Sequence, residues 1–91
     1  MRIKTSLCYK YRVIAGQHYL IPVAEAADKS VIPLQLTETA AWIWAQLETG
    51  EDTEKVAALM AEEYEVDLCD AKSDTENFAE LLIKQGMAEK V

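Results

Sequence analysis

The fold of this chain is decided by the stretch Val-Ile-Pro-Leu-Gln-Leu-Thr-Glu-Thr-Ala-Ala-Trp-Ile-Trp, residues 31–44. Its first residues form a short apolar run, and the apolar positions then recur every three to four residues, as in a helix. We predict a strand over 31–36 and a helix over 38–48, with Thr37 as the N-cap of the helix. Pro33 has no main-chain N–H to donate, which indicates that the strand lies at the edge of a sheet.

Two more strands are predicted upstream of this stretch. Residues 9–14 and 18–23 are rich in β-branched and aromatic side chains, and residues 15–17 between them include the flexible Gly16. This pattern is typical of a β-hairpin. Together with the strand over 31–36 it predicts a three-stranded antiparallel sheet.

Two more helices are predicted downstream. The second begins at Asp52 or Thr53, either of which can serve as its N-cap, and the third begins near Asp67 and ends before Gly86. The inward-facing stripe of the second helix is predicted as Val56, Ala57, Leu59, Met60 and Tyr64, and that of the third as Ala71, Thr75, Phe78, Leu81 and Leu82. The sequence therefore predicts one α+β domain over residues 1–91, with the order β-β-β-α-α-α.

The two tryptophans of the first helix cannot face the same core. Residues two apart on a helix point about 200° away from each other. Trp44 shares the stripe of Ala40 and Leu47 and is predicted to be buried. Trp42 then either covers the sheet edge or is exposed as an anchor for a partner, since aromatic anchors are enriched at interfaces and tryptophans are usually well buried.

Charge is distributed unevenly along the 91 residues, whose net charge is −7. Residues 1–35 contain five basic and two acidic side chains, whereas residues 36–91 contain four basic and fourteen acidic ones. An acidic helical half repels a phosphate backbone, because nucleic-acid affinity comes largely from Lys and Arg. A basic peptide or protein surface is the better partner.

The residues that carry chemistry are sparse. His18 is the single histidine, Cys8 and Cys69 are far apart without metal-ligand spacing, and the three glycines form no phosphate-binding loop. We therefore expect a binding domain rather than an enzyme, without a metal or a cofactor. The N-terminal residues lack the apolar run of a signal peptide, and no segment is long and apolar enough for a membrane helix, so a cytoplasmic protein without a membrane partner is expected.

Further segments continue a recognisable pattern after residues 31–44. They are Asp52-Thr53-Glu54-Lys55-Val56-Ala57, Glu62-Glu63-Tyr64-Glu65-Val66-Asp67, and then Asp74, Phe78, Leu81, Leu82 and Gly86. As a set these residues resemble the PqqD family over nearly the whole chain. The resemblance implies a winged helix-turn-helix-like fold, the RiPP recognition element. It also implies that the leader of a ribosomally made precursor peptide adds as a strand beside the third β-strand, packs against the third helix, and is presented to a modifying enzyme, often a radical SAM protein.

The uncharged strand 31–36 agrees with that function, because edge strands without charge are either covered or available to an incoming strand. The residues expected to bind the peptide are Val31, Ile32, Leu34 and Leu36 from the strand, and Lys72, Thr75, Glu76 and Ala79 from the third helix. Pro33 removes one main-chain donor from this strand. Whether the pathway makes PQQ or another modified peptide stays open.

Two alternatives belong to other classes. The first is a winged-helix DNA-binding regulator, which charge disfavours because residues 62–80 contain eight acidic side chains and a single basic one, Lys72. The second is a structural subunit that forms a homodimer through the edge strand or Trp42.

Overall fold

The computed structural model describes residues 2–22 and 33–91. Their helices and strands follow one another in the order β1 Ile3–Thr5, β2 Tyr9–Ile14, β3 Gln17–Pro22, β4 Leu34–Leu36, α1 Glu38–Glu48, α2 Thr53–Glu63, α3 Leu68–Lys84 and β5 Ala88–Lys90. The three predicted helices are all present, and α1 has the predicted bounds.

The predicted three-stranded sheet is confirmed, with strand order β2-β3-β4 and antiparallel pairing throughout. Ala15 and Gly16 connect β2 to β3 with φ angles of 52° and 78°. Positive φ at both central residues makes a type I′ turn, whose twist matches that of the flanking strands. Glycine adopts this conformation without steric cost, whereas Ala15 adopts it at some cost.

A second sheet, which the sequence pattern did not predict, joins the two ends of the chain. β1 pairs with β5 in antiparallel register, with Ile3 opposite Lys90 and Thr5 opposite Ala88. The predicted order β-β-β-α-α-α is therefore corrected by one added strand at each end. Both strands are three residues long, which is too short for a hydrophobic period to emerge.

The predicted N-caps Thr37 and Asp67 are confirmed, and of the two alternatives for α2 the N-cap is Asp52. Thr37, Asp52 and Asp67 each have extended main-chain angles and accept a hydrogen bond from a main-chain N–H two or three residues further on, at 3.0, 2.8 and 3.3 Å. The bond from the Glu54 N–H holds the pKa of Asp52 below its ordinary value of 3.8. Each cap satisfies a donor that the first helical turn leaves without a partner.

The core is centred on Trp44, which is fully buried as predicted. Its other buried apolar side chains come from every helix and strand except β2. The predicted stripes of α2 and α3 are each corrected at one position. Tyr64 is 37% exposed and lies just after α2, and in α3 Leu81 is 39% exposed while Ala79 is buried in its place. Leu82 faces inward, and a helix turns by about 100° per residue, so its neighbour Leu81 points to the border of the core.

None of the described helices is both long enough and apolar enough to cross a bilayer.

Candidate functional site

Strand β4 is one edge of the three-stranded sheet. It pairs with β3 on one side, and no other strand of residues 2–22 and 33–91 lies on its other side. Of the predicted strand 31–36 the structure describes residues 33–36, where Leu34–Leu36 form β4 and Pro33 lies just before it. The predicted binding residues Val31 and Ile32 lie outside the described residues. Leu34 is half-buried and Leu36 is 5% exposed, so both side chains pack toward the core.

The turn between β2 and β3 determines which main-chain groups face β4. A two-residue hairpin turn closes on a pair of residues that exchange both hydrogen bonds, here Ile14 and Gln17. Hydrogen-bonded and non-hydrogen-bonded pairs alternate along an antiparallel ladder. Gln17 therefore directs its N–H and C=O toward β2, whereas His18 and Leu20 direct theirs toward β4.

The same alternation leaves one residue of β4 with its main chain facing outward. His18 lies opposite Leu36, and Leu20 lies opposite Leu34. Gln35, between these two pairs, directs its N–H and C=O away from β3, where an added strand can bond to them. Gln35 was not among the predicted binding residues, because its role depends on the pairing register, which no single-strand pattern reveals.

The predicted residues of α3 divide into two groups. Lys72 is exposed and Glu76 is half-buried, so both present polar surface. Thr75 and Ala79 are each 0% exposed, so neither offers side-chain surface to a peptide in this structure. The helical period explains the division, because Thr75 and Ala79 lie on the stripe of Ala71 and face the core with it.

Thr75 has one further feature. Its Oγ1 atom is buried and has no hydrogen-bond partner within residues 2–22 and 33–91, and the same holds for Nε1 of Trp44. A buried hydroxyl without a partner costs about 1–3 kcal/mol relative to a satisfied one. The inward face of α3 therefore contains a polar group that destabilises the core around it.

The side chain of His18 contacts that of Tyr11. Its Nδ1 atom forms a hydrogen bond with the Tyr11 hydroxyl, and the two rings stack with centroids 5.8 Å apart and planes 12° apart. Both rings lie on the sheet face that also carries Leu20. The described residues bring no three His, Cys, Asp or Glu side chains together as metal ligands.

Two solved structures have this fold. The first is a lasso peptide synthetase B1 complexed with the leader peptide, which is 26% identical to this chain, has a TM-score of 0.79, and covers 97% of this chain and 98% of its own. The second is TbiB1 in complex with the TbiA(beta) leader peptide, which is 22% identical, has a TM-score of 0.77, and covers 97% and 96%. No curated protein matches the sequence.

The sequence also matches a family profile, that of Coenzyme PQQ synthesis protein D (PqqD), over residues 23–88. The match contains β4, all three helices and the first residue of β5. This confirms the resemblance inferred from residues 31–44 and the segments after them, and the chain belongs to the PqqD family.

Proposed function

We propose that this chain is a non-catalytic RiPP recognition element. It binds the leader of a ribosomally synthesised precursor peptide by strand addition to β4 and presents that peptide to a modifying enzyme. One observation carries the proposal: among the described residues β4 is the last strand on its side of the sheet, and Gln35 directs its main-chain donor and acceptor outward there. Membership of the PqqD family supports it, and so do the two similar structures, both of which were solved with a leader peptide.

In the proposed complex, main-chain bonds provide the attachment and the side chains of α3 provide selectivity. Leu34 and Leu36 hold β4 on the core, which keeps Gln35 at the edge. Lys72 and Glu76 present the polar surface of α3 to the peptide. Thr75 and Ala79 lie in the core beneath them. Val31 and Ile32, which lie outside the described residues, are proposed as further contacts of the peptide.

The charge of α3 suggests which leader binds. Asp70, Asp74 and Glu80 are exposed on this helix, with Lys72 and Lys84 as its basic residues. A leader with basic residues beside an apolar segment complements this surface. Added salt should weaken the electrostatic part of the binding, because exposed charges are screened over about 8–10 Å at ordinary ionic strength.

The proposed recipient is a peptide-modifying enzyme, specifically a radical SAM protein, that meets the complex in the cytoplasm, where precursor peptides are made. Size-exclusion chromatography of the chain, its precursor and the enzyme tests this step. A complex of all three that requires the leader segment supports the proposal. A complex of enzyme and precursor that forms equally well without the chain contradicts it.

Strand addition itself is tested by NMR titration of the 15N-labelled chain with leader peptides encoded near its gene. The expected result is saturable shifts of the amides of residues 34–36 and 67–85. Shifts restricted to other surfaces would exclude the β4 edge. Sedimentation at several protein concentrations, with and without peptide, separates strand addition by a peptide from pairing of two copies through the same edge.

A further inference from the structure

A groove separate from the β4 edge lies between α1 and α2. It has a volume of about 390 Å³ and is lined by Trp42, Gln46, Leu59, Glu62 and Glu63. The helical period explains the lining, since Trp42 and Gln46 are four residues apart on α1, and Leu59 lies three and four residues before the two glutamates on α2. We call this the α1–α2 groove.

One end of the α1–α2 groove is aromatic. Tyr64 packs edge-on against Trp42, with ring centroids 5.6 Å apart and planes 87° apart. Trp42 is half-buried and Tyr64 is 37% exposed, so both rings retain contact with solvent. Trp42 was predicted either to cover the sheet edge or to be exposed as an anchor for a partner. In the structure its half-buried ring lies at the surface beside a second aromatic side chain.

The charge around the groove is negative, and no positive charge among the described residues pairs with its glutamates. Between Val56 and Ala71 the sequence contains no Lys, Arg or His. Within the part of the chain that the structure describes, Glu62 and Glu63 form no ion pair, and the nearest base before them, Lys55, pairs with Glu51 at 3.9 Å. Partial burial raises the pKa of Tyr64, and the negative charges of Glu38 and Glu63 add to that rise, so negative charge also reaches the aromatic end.

We propose that the α1–α2 groove binds an arginine side chain of a protein partner. A guanidinium can stack on the Trp42 indole and donate paired hydrogen bonds to the carboxylates of Glu62 and Glu63. Its methylene stem can pack against Leu59, because basic side chains bury their stems while their charged ends stay polar. The groove uses no residue of β4 and no residue of α3, so this inference goes beyond the proposed peptide complex.

The neighbouring surface indicates what surrounds that arginine. Val66 and Leu68 follow Tyr64 in the chain and are 42% and 55% exposed. Glu65 and Asp67 alternate with them and are exposed too. The complementary segment of the partner therefore has an arginine flanked by apolar residues, without acidic ones.

The test uses the full 15N-labelled chain and the peptide acetyl-Ala-Leu-Arg-Leu-Ala-amide. A matched peptide has citrulline in place of arginine, which keeps the shape and removes the charge. We expect saturable shifts of the Trp42 indole N–H and of the amides of residues 59–65. The citrulline peptide should bind roughly five-fold to thirty-fold more weakly, because it loses the cation–π contact and the charge-assisted bonds. A lysine peptide is expected to bind more weakly than the arginine peptide.

Two variants complete the test. The double variant Glu62→Gln with Glu63→Gln should bind the arginine peptide at least roughly five-fold more weakly. The control Glu48→Gln, an exposed residue outside the groove, should leave it unchanged. Thermal unfolding confirms that each variant is folded. Equal binding of the arginine and citrulline peptides, or unchanged binding by the double variant, would overturn the proposal, as would shifts located at residues 34–36. Leader binding measured on the same double variant reports separately on the β4 edge. The arginine site and the proposed peptide site can therefore be contradicted independently of each other.

Discussion

The side chain of Gln35 donates a 2.9 Å hydrogen bond from Nε2 to Oε1 of Gln17, across the exposed face of the sheet. Gln35 lies opposite Tyr19, so Gln17 is its diagonal neighbour on β3. The bond joins the two strands in one register through their side chains. It leaves the main-chain N–H and C=O of Gln35 directed toward the outer edge.

Replacing Gln35 with proline should weaken binding of the leader peptide by roughly two-fold to ten-fold, which corresponds to one lost main-chain hydrogen bond of about 0.5–1.5 kcal/mol. The N–H that proline removes faces outward, so the ladder with β3 keeps its bonds. Calorimetric titration with the leader peptide measures the effect.

The matched control is Gln35→Ala, which removes the bond to Gln17 and keeps the main-chain N–H. Its affinity for the leader should equal that of the unmodified chain. Equal weakening by the alanine and proline variants would assign the effect to the side chain and contradict strand addition at Gln35.

Replacing Thr75 with valine should raise the free energy of unfolding by about 1–2 kcal/mol, because a methyl group replaces a buried hydroxyl that has no partner among the described residues. Urea unfolding followed by circular dichroism measures the change. Thr75→Ser, which keeps the hydroxyl and loses a methyl group, should lower it. If valine instead destabilises the chain, the hydroxyl has a partner that the described residues do not include.

Replacing Glu65 with glycine should raise the free energy of unfolding by about 1 kcal/mol. Glu65 has a φ of 52°, in the left-handed region that costs most residues about 1–2 kcal/mol, and the greater freedom of glycine in the unfolded chain offsets part of the gain. The N–H of Val66 bonds to the carbonyl of Ala61 at 3.2 Å, which closes α2 in a motif that favours glycine at this position.

Ala58→Gly, at an exposed position in the middle of α2, provides the opposite control for that change. It places glycine inside α2, where it should lower the free energy of unfolding by about 1 kcal/mol. The midpoint temperatures of thermal unfolding of the two variants should therefore shift in opposite directions from that of the unmodified chain. A decrease in both midpoint temperatures would show that the backbone of Glu65 is not a source of strain.

The Asp52 cap should make stability depend on pH in the acid range. Its pKa is lowered by the hydrogen bond from the Glu54 N–H. A carboxylate whose pKa is lower in the folded state stabilises the fold above its unfolded pKa, and this contribution is lost as the pH falls through the folded value. Asp52→Asn can still cap α2 but does not titrate. The difference in free energy of unfolding between the unmodified chain and Asp52→Asn should be constant from about pH 5 to 8 and change below about pH 4. Urea unfolding at several pH values measures it, and identical profiles would contradict the cap's role.

The amino-acid sequence by itself determined the local features of this protein. It specified the hairpin, the bounds of α1 and the N-caps Thr37 and Asp67, because each depends on residues within one or two turns of one another. The same periodicity placed Trp44 on the inward face of α1. Residues 31–44 and the segments after them, taken as a set, also indicated the PqqD family.

Only the tertiary structure decided the features that depend on residues distant in the chain. The pairing of β1 with β5 joins segments more than eighty positions apart. The outward direction of Gln35 follows from its register against β3, and a shift of one residue would reverse it. The burial of Ala79 in place of Leu81, and the meeting of Trp42 with Tyr64, depend on how helices pack against one another and against the sheet. Local periodicity places a residue on a face of its own helix or strand, but only the assembled chain determines what that face meets.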